Sequence, residues 1–392
     1  MVEEQPAQGV AVAVAVAAAT DMDMSEARMR KDPLRGIKVR ELIAEKRRLV
    51  EVPYTATLSH TLNALVANRV VAVPVAAPPG QWIGAGGSMI LESDKHSGAV
   101  RKHYIGMITM LDILAHIAGD DGAEDSFAAA AANLDSKMCV PVSSVIGHCL
   151  ESLSLWTLSP NTSILDCMEV FSKGIHRALV PLEGQMENVS SGVELVESAS
   201  SYQMLTQMDV LKFFKENASQ LEELVSQPVG QLGAVTENVF AVTNKTPVIE
   251  AIKCMRAASL TAVPIIEASG HLDEDPKQLV LGRGRKLTGT LSATDLKGCS
   301  VALLQSWLPR SVQEFTAELG SRMGRATTPA AVSRLVDCTV DSSLGEVVEK
   351  AVNEHVHRVW VVDNNGSLYG LISLSDMIRV IRLWMLPNPF QV

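Results

Sequence analysis

HVHRVWVVDNNGSLYGLISLSDMIRVIRL, residues 355–383, is the stretch that decides the fold. Val359, Trp360, Val361 and Val362 are strand formers, and Asp363-Asn364-Asn365-Gly366 is turn chemistry. Leu371 and Ile372 resume a strand, and Ser375-Asp376 opens a helix with Ile378 and Ile381 on one face. Upstream, Ser343 is a good N-cap with Glu346 three residues later, a capping-box pattern. Leu344, Val347, Val348 and Ala351 follow the i, i+3, i+4, i+7 spacing of a buried helical face. The unit reads strand–helix–strand–strand–helix.

The same unit recurs three times upstream. Its first helix carries Leu58, Thr61, Leu62 and Leu65 in the first repeat, and Ile164, Cys167, Met168 and Phe171 in the second. In the third it carries Val248, Ala251, Ile252 and Met255. Thr57, Ser163, Thr246-Pro247 and Ser343 announce these helices as caps or starters. A short apolar strand follows each helix: VVAVPV at 70–75, ALVPL at 178–182, TAVPII at 261–266 and VWVV at 359–362. A second strand then leads into hydroxyl-x-x-Asp and a helix, with the aspartates at Asp112, Asp209, Asp295 and Asp376. The fourth repeat is compact. The others carry polar, Gly- and Ser-rich insertions at 76–103, 183–201 and 267–286, expected as surface loops. Residues 119–138 and 300–330 read as linkers. The first holds an Ala run (Ala128 to Ala132); the second extends the third repeat's last helix, breaks at Pro309 and holds a helical piece around Val312 to Leu319.

Composition bounds the function. The chain has 392 residues, 47% of them hydrophobic but only 4% aromatic, so small aliphatic side chains do the packing. A formal charge of −10 argues against a nucleic-acid polymer as the main partner, while leaving room for a local basic pocket. The six cysteines (Cys139, Cys149, Cys167, Cys254, Cys299 and Cys338) form no C-x-x-C pair and read as free thiols in a reducing compartment, cytoplasmic and/or nuclear. The apolar run Val10 to Ala19 is shorter than the roughly 18 residues a spanning helix needs, so no membrane is expected. Residues 1–35 read as a mobile tail. Gly84, Gly86 and Gly87 are followed by no Gly-Lys-Ser/Thr, and no nucleophile elbow, H-E-x-x-H or Walker motif is present. The chain is therefore read as a non-enzyme.

Four such units resemble cystathionine-β-synthase (CBS) domains. The fourth, H-R-V-W-V-V-D to G-L-I-S-L-S-D, is similar to the last repeat of the regulatory gamma subunits of AMP-activated and sucrose-nonfermenting-type protein kinases. The second, G-I-H-R-A-L-V-P-L to L-T-Q-M-D-V-L-K-F-F, resembles their second repeat. The body from about Leu34 to Val392 looks like the plant gamma-like proteins, sharing the strings A-N-R-V, P-V-A-A, G-Q-W-I-G-A-G-G-S-M-I and S-A-T-D-L-K-G-C.

The resemblance implies an α+β fold. CBS repeats at 36–120, 139–216, 225–300 and 327–386 would pair as two tandems, one with two and three with four, in a flat disk. Residues 36–216 and 225–386 are expected to be independent tandems, because no single unit covers its own helices. The resemblance also implies a non-catalytic regulatory subunit whose partners are a kinase catalytic (alpha) subunit and a beta scaffold subunit. No cofactor is required, and AMP, ADP or ATP is the expected regulatory ligand. The alternative is a stand-alone adenosyl-ligand sensor or scaffold acting on another enzyme.

The motifs can be read chemically. An Asp at a helix start either caps free N–H groups or accepts both hydroxyls of a ribose, and the hydroxyl three residues earlier adds a donor. Arginine grips phosphate oxygens bidentately. The candidate nucleotide-binding residues are therefore Thr109 and Asp112; His176, Arg177, Thr206 and Asp209; Thr246, Ser292 and Asp295; and His357, Arg358, Ser373, Ser375 and Asp376. His355-x-His357 alternates to one strand face but lacks a third ligand for a metal. Relative to the gamma pattern, Val71 stands where a phosphate-binding Arg is found, with Arg69 as a substitute two residues earlier. Gln207, Met208 and Asp209 replace a basic run, and Leu260-Thr261 adds no cation. The pocket is thus less basic, and nucleotide sites are expected to be reduced to one or two, or lost.

Overall fold

A computed structural model describes residues 33–77, 103–119, 134–149, 155–182, 201–269, 274–298, 301–322 and 335–386. The expected tail, the Ala run and most of the first two insertions lie outside these residues.

A leading helix α1 (Val39–Ile43) precedes repeat one, which comprises β1 (Val52–Pro53), α2 (Leu58–Asn68), β2 (Ala72–Ala76), β3 (Tyr104–Thr109) and α3 (Met110–Ala118). The short helix α4 (Leu134–Met138) leads to repeat two: α5 (Ile164–Ser172), β4 (Arg177–Pro181), β5 (Tyr202–Thr206) and α6 (Gln207–Glu216). After α7 (Glu222–Val225) comes repeat three: β6 (Phe240–Thr243), α8 (Val248–Ala257), β7 (Ala262–Ile266), β8 (Val280–Leu281) and β9 (Leu287–Ser292). Helices α9 (Val301–Trp307) and α10 (Val312–Arg322) lead to repeat four: β10 (Asp337–Cys338), α11 (Leu344–Asn353), β11 (Arg358–Val362), β12 (Leu368–Ser373) and α12 (Leu374–Met385).

The repeat pattern holds with three corrections. Among the described residues, repeat two shows no first strand, only a Thr157–Leu179 bridge beside the β4–β5 pair. The third insertion is more than a loop: its β8 pairs antiparallel with β6, giving the order β8-β6-β7-β9. Asp295 opens a 3-10 segment (Ala293–Gly298) instead of an α-helix. The break at Pro309 does separate α9 from α10. Every apolar position read for the four first helices is buried. Ser343 caps α11 through its hydroxyl, which accepts the Glu346 N–H. Glu346, however, pairs with Lys350 instead of completing the box.

Each leading segment docks on the other repeat of its tandem. Val39 N–H donates to the Thr162 carbonyl and Ile164 N–H to the Ile37 carbonyl, so the segment before repeat one seats on repeat two. Leu58 N–H donates to the Val140 carbonyl, the converse exchange. Repeats three and four repeat the device through Val229 to Ser342 and Val248 to Arg310. Sheets also meet within tandems: Trp360 and Leu368 of repeat four pack with Ile266 and Leu287 of repeat three. The Tyr104 and Tyr202 rings meet edge to face at 5.6 Å.

The large cores, in contrast, join the two tandems. One gathers Leu58, Leu65, Ile113 and Ile117 of repeat one with Val248, Ile252 and Trp307 of the third repeat and its following helix. The other gathers Ile164, Phe171 and Phe214 of repeat two with Val347, Ile378 and Ile381 of repeat four. The helix faces expected to be covered inside each tandem are instead covered across the tandem boundary. Of the described cysteines, only Cys139 is exposed. Burial pushes the Cys167 and Cys338 thiols up to about 12, so both are protonated packing groups. No described helix is long and apolar enough to cross a membrane.

Candidate functional site: a cleft where four repeats meet

Strand register fixes which residues are equivalent among the repeats. Ala72 pairs with Thr109, Arg177 with Thr206, Ala262 with Ser292 and Arg358 with Ser373. Each strand start thus faces the hydroxyl of its own helix cap. Repeats two and four place His-Arg there; repeats one and three place Val71-Ala72 and Thr261-Ala262. The cationic pairs reach across to the small ones. Arg358 donates to the Ala262 carbonyl and, at 2.6 Å, to the Thr261 hydroxyl. Arg177 approaches the Met107 sulfur of repeat one at 3.8 Å.

These strand starts line a cleft of about 140 Å³ together with the cap regions of repeats one and three. Thr109, His176, Arg177, Ser292, Asp295, His357 and Arg358 all line it. Thr261, Thr290, Thr294, Trp360 and His355 join them without having been named as site residues. Their hydroxyls gave no sequence signal, because their strand neighbours differ in every repeat. His355 did carry one, through its alternation with His357. Trp360 donates its indole N–H to the Thr290 hydroxyl at 2.6 Å, tying β11 to β9 on the cleft wall.

The structure does not bring the other candidates to this cleft. Asp112 is fully buried, taking the Thr109 N–H and hydroxyl on Oδ2 and the Cys149 N–H at 3.0 Å on Oδ1. Asp209 takes the Thr206 N–H and hydroxyl, and its carboxylate also pairs with Lys46. Asp376 takes the Ser373 N–H and hydroxyl on Oδ2, with Arg379 at 3.4 Å from Oδ1. These three carboxylates complete capping boxes, each satisfying helix-start donors. Ser375 accepts from the Gln207 amide at 2.8 Å, a repeat-two to repeat-four junction. Thr246 is buried and bonds Thr243. Arg69 is exposed at the end of α2 and does not line the cleft, so it does not replace the missing cation at Val71.

Asp295 is different. Its Oδ2 accepts the Ser292 N–H at 2.7 Å, but the Ser292 hydroxyl turns to Thr294 at 2.9 Å. Burial pushes the Asp295 carboxyl up to about 7. Burial draws Arg358 down to about 10, so it stays charged at neutral pH with no carboxylate partner among the described residues. A partly buried cation lacking a counter-charge carries a desolvation cost, and an incoming anion relieves it. No described group of three or more His, Cys, Asp or Glu residues is arranged to hold a metal.

Comparison with known proteins agrees with this architecture. The CBS domain family matches residues 332–383. Two Arabidopsis thaliana proteins, the SNF1-related protein kinase regulatory subunits gamma-like PV42a and PV42b, are 55% and 56% identical. The matches cover 91% and 88% of this chain and 98% and 94% of theirs. A crystal structure of a Methanocaldococcus jannaschii protein has the same fold. It superposes with a TM-score of 0.54 at 17% identity, covering 88% of this chain and all of that one. With over half its residues identical along nearly the full length of those two relatives, the chain belongs to the family of SNF1-related protein kinase regulatory subunit gamma-like proteins.

Proposed function

We propose that this non-catalytic regulatory protein binds an adenine nucleotide by its phosphate in the central cleft and acts on a kinase catalytic subunit held with a beta scaffold subunit. The observation that carries the reading is Arg358: a charged guanidinium in the cleft without a carboxylate partner among the described residues. A phosphate oxygen supplies the missing counter-charge. Asp295 and the surrounding hydroxyls offer acceptors and donors to a ribose. At about 140 Å³ the cleft is well below the ~300–1,000 Å³ of pockets that engulf drug-sized ligands. It suits the charged end of a nucleotide, with the base lying outside.

Calorimetry with AMP and adenosine tests the reading. Wild type should prefer AMP, and Arg177→Ala with Arg358→Ala should erase that preference while the protein stays folded. Equal wild-type affinity for AMP and adenosine would sink phosphate recognition. Capture of the catalytic subunit, with and without AMP, tests the partner.

A scaffold without sensing is the second reading. Three of the four motif carboxylates are committed to caps, and Val71 lines the cleft where a cation is expected. Capture indifferent to AMP in both wild type and the double variant would favour it. The cytoplasmic and/or nuclear location expected from the free thiols is part of the proposal, and fractionation of a tagged chain tests it.

A further inference from the structure

Each first helix ends on a residue in the left-handed region: Arg69 (φ 55°), Gly174 (φ 90°), Ser259 (φ 54°) and His355 (φ 53°). At His355 the ending is a Schellman motif: His355 N–H donates to the Val352 carbonyl and Val356 N–H to the Ala351 carbonyl at 3.1 Å. Glycine is the favoured residue there, as in repeat two, because a Cβ is strained at positive φ. Repeats one, three and four hold it without glycine, through Arg69, Ser259 and His355.

Of these three, His355 is the one that lines the cleft. His355 lines the cleft with His357 and Arg358 and is exposed. Its imidazole makes no hydrogen bond or ion pair with any described residue. Arg69, its counterpart in repeat one, does not line the cleft. We infer that His355 is a further phosphate-binding residue of the central cleft, adding an imidazole N–H donor beside Arg358 where repeats one and three supply no cation. The inference rests on the nucleotide reading above. Arg69 and Ser259 hold the same conformation away from the cleft, so the placement of the ring on the cleft wall carries the assignment and the backbone conformation does not.

His355→Gly separates the side chain from the backbone. Glycine removes the imidazole and relieves the strain, so the variant should melt at or above the wild-type temperature. In calorimetry on the full chain, AMP affinity should fall roughly ten- to a hundredfold, the loss of one hydrogen bond to a charged group. Adenosine affinity should hold. His355→Asn, which tolerates the left-handed region and keeps a side-chain donor, should recover part of the loss. A folded His355→Gly that binds AMP as tightly as wild type would overturn the assignment. So would an equal loss for AMP and adenosine, which would place His355 on the nucleoside. If wild type itself shows no AMP preference, the nucleotide reading fails first and this inference falls with it.

Discussion

Arg358 of repeat four is hydrogen-bonded to Thr261 of repeat three, at 2.6 Å from the guanidinium to the hydroxyl. The same guanidinium holds the Ala262 carbonyl, so one side chain both joins two sheets and offers charge to the cleft. Arg358→Lys keeps the charge but cannot fork to two acceptors and a ligand together. We expect it to lower AMP affinity about tenfold or more and to cost about 1–3 kcal/mol of stability. Calorimetry and urea titration measure the two effects, and an Arg358→Lys indistinguishable from wild type in both would remove the dual role.

The four motif aspartates should divide by function. Asp376→Ala is expected to cost ~0.5–2 kcal/mol as a lost cap and to leave nucleotide affinity unchanged. This reverses the expectation drawn from the motif alone. Asp112→Ala should be far more harmful, because it strands the buried Thr109 and Cys149 N–H groups, at about 1–3 kcal/mol each. Asp295→Asn should change ligand affinity. A large affinity loss in a folded Asp376→Ala would return that carboxylate to the binding site.

Asp295 also predicts a pH dependence. In the unfolded chain its carboxyl loses its proton near pH 3.8; in the folded chain it does so near 7. Between these values the folded state holds the extra proton, so stability falls as pH rises through the window and levels off above about 7. Asp295→Asn removes this contribution and leaves the other groups in place. The variant should therefore gain on wild type in melting temperature from pH 5 to pH 8. A constant difference across that range would mean that Asp295 ionises normally.

Much of this was legible in the sequence, and the division has a physical cause. Local rules placed the first helices and their buried faces, because Leu58, Ile164, Val248 and Leu344 each begin a face that buries against something. What that something is cannot be read from periodicity, since related repeats present similar apolar stripes and any pairing satisfies the pattern. The hydroxyl-x-x-Asp motif has the same ambiguity: capping and ribose binding need the same residues at the same spacing. The Ser292 hydroxyl turning to Thr294, the 3-10 segment that Asp295 opens and its place on the cleft set it apart from the three caps. Lys46, which neutralises Asp209 from a segment far upstream, left no pattern at all.

The left-handed helix ends give a stability prediction free of ligand. Arg69→Gly and Ser259→Gly should stabilise by up to about 1 kcal/mol each, and Gly174→Ala should destabilise by a similar amount. Shifts in urea midpoint at constant slope would show it. Destabilisation by Arg69→Gly would mean that the Arg69 side chain contributes more than its backbone strain costs.

The packing of the cores bears on whether half the chain can stand alone. Residues 33–216 contain both exchanged leading segments of the first tandem and residues 222–386 those of the second, so each half keeps its internal backbone bonds. Yet the face of α3 that meets α8, and the face of α5 that meets α12, are covered only across the boundary. An isolated half would leave two apolar helical faces in water, at about 25 cal/mol for each Å². Because the repeats are related, a second copy of the same half offers a similar surface. Each half expressed alone should therefore form a homodimer or larger assembly, and mixing the halves should shift both to a one-to-one complex that melts higher than either. Light scattering coupled to size exclusion reads the masses directly. A half that stays monomeric at micromolar concentration and unfolds cooperatively would show that the tandem is an independent domain, and that the shared cores only join two finished units.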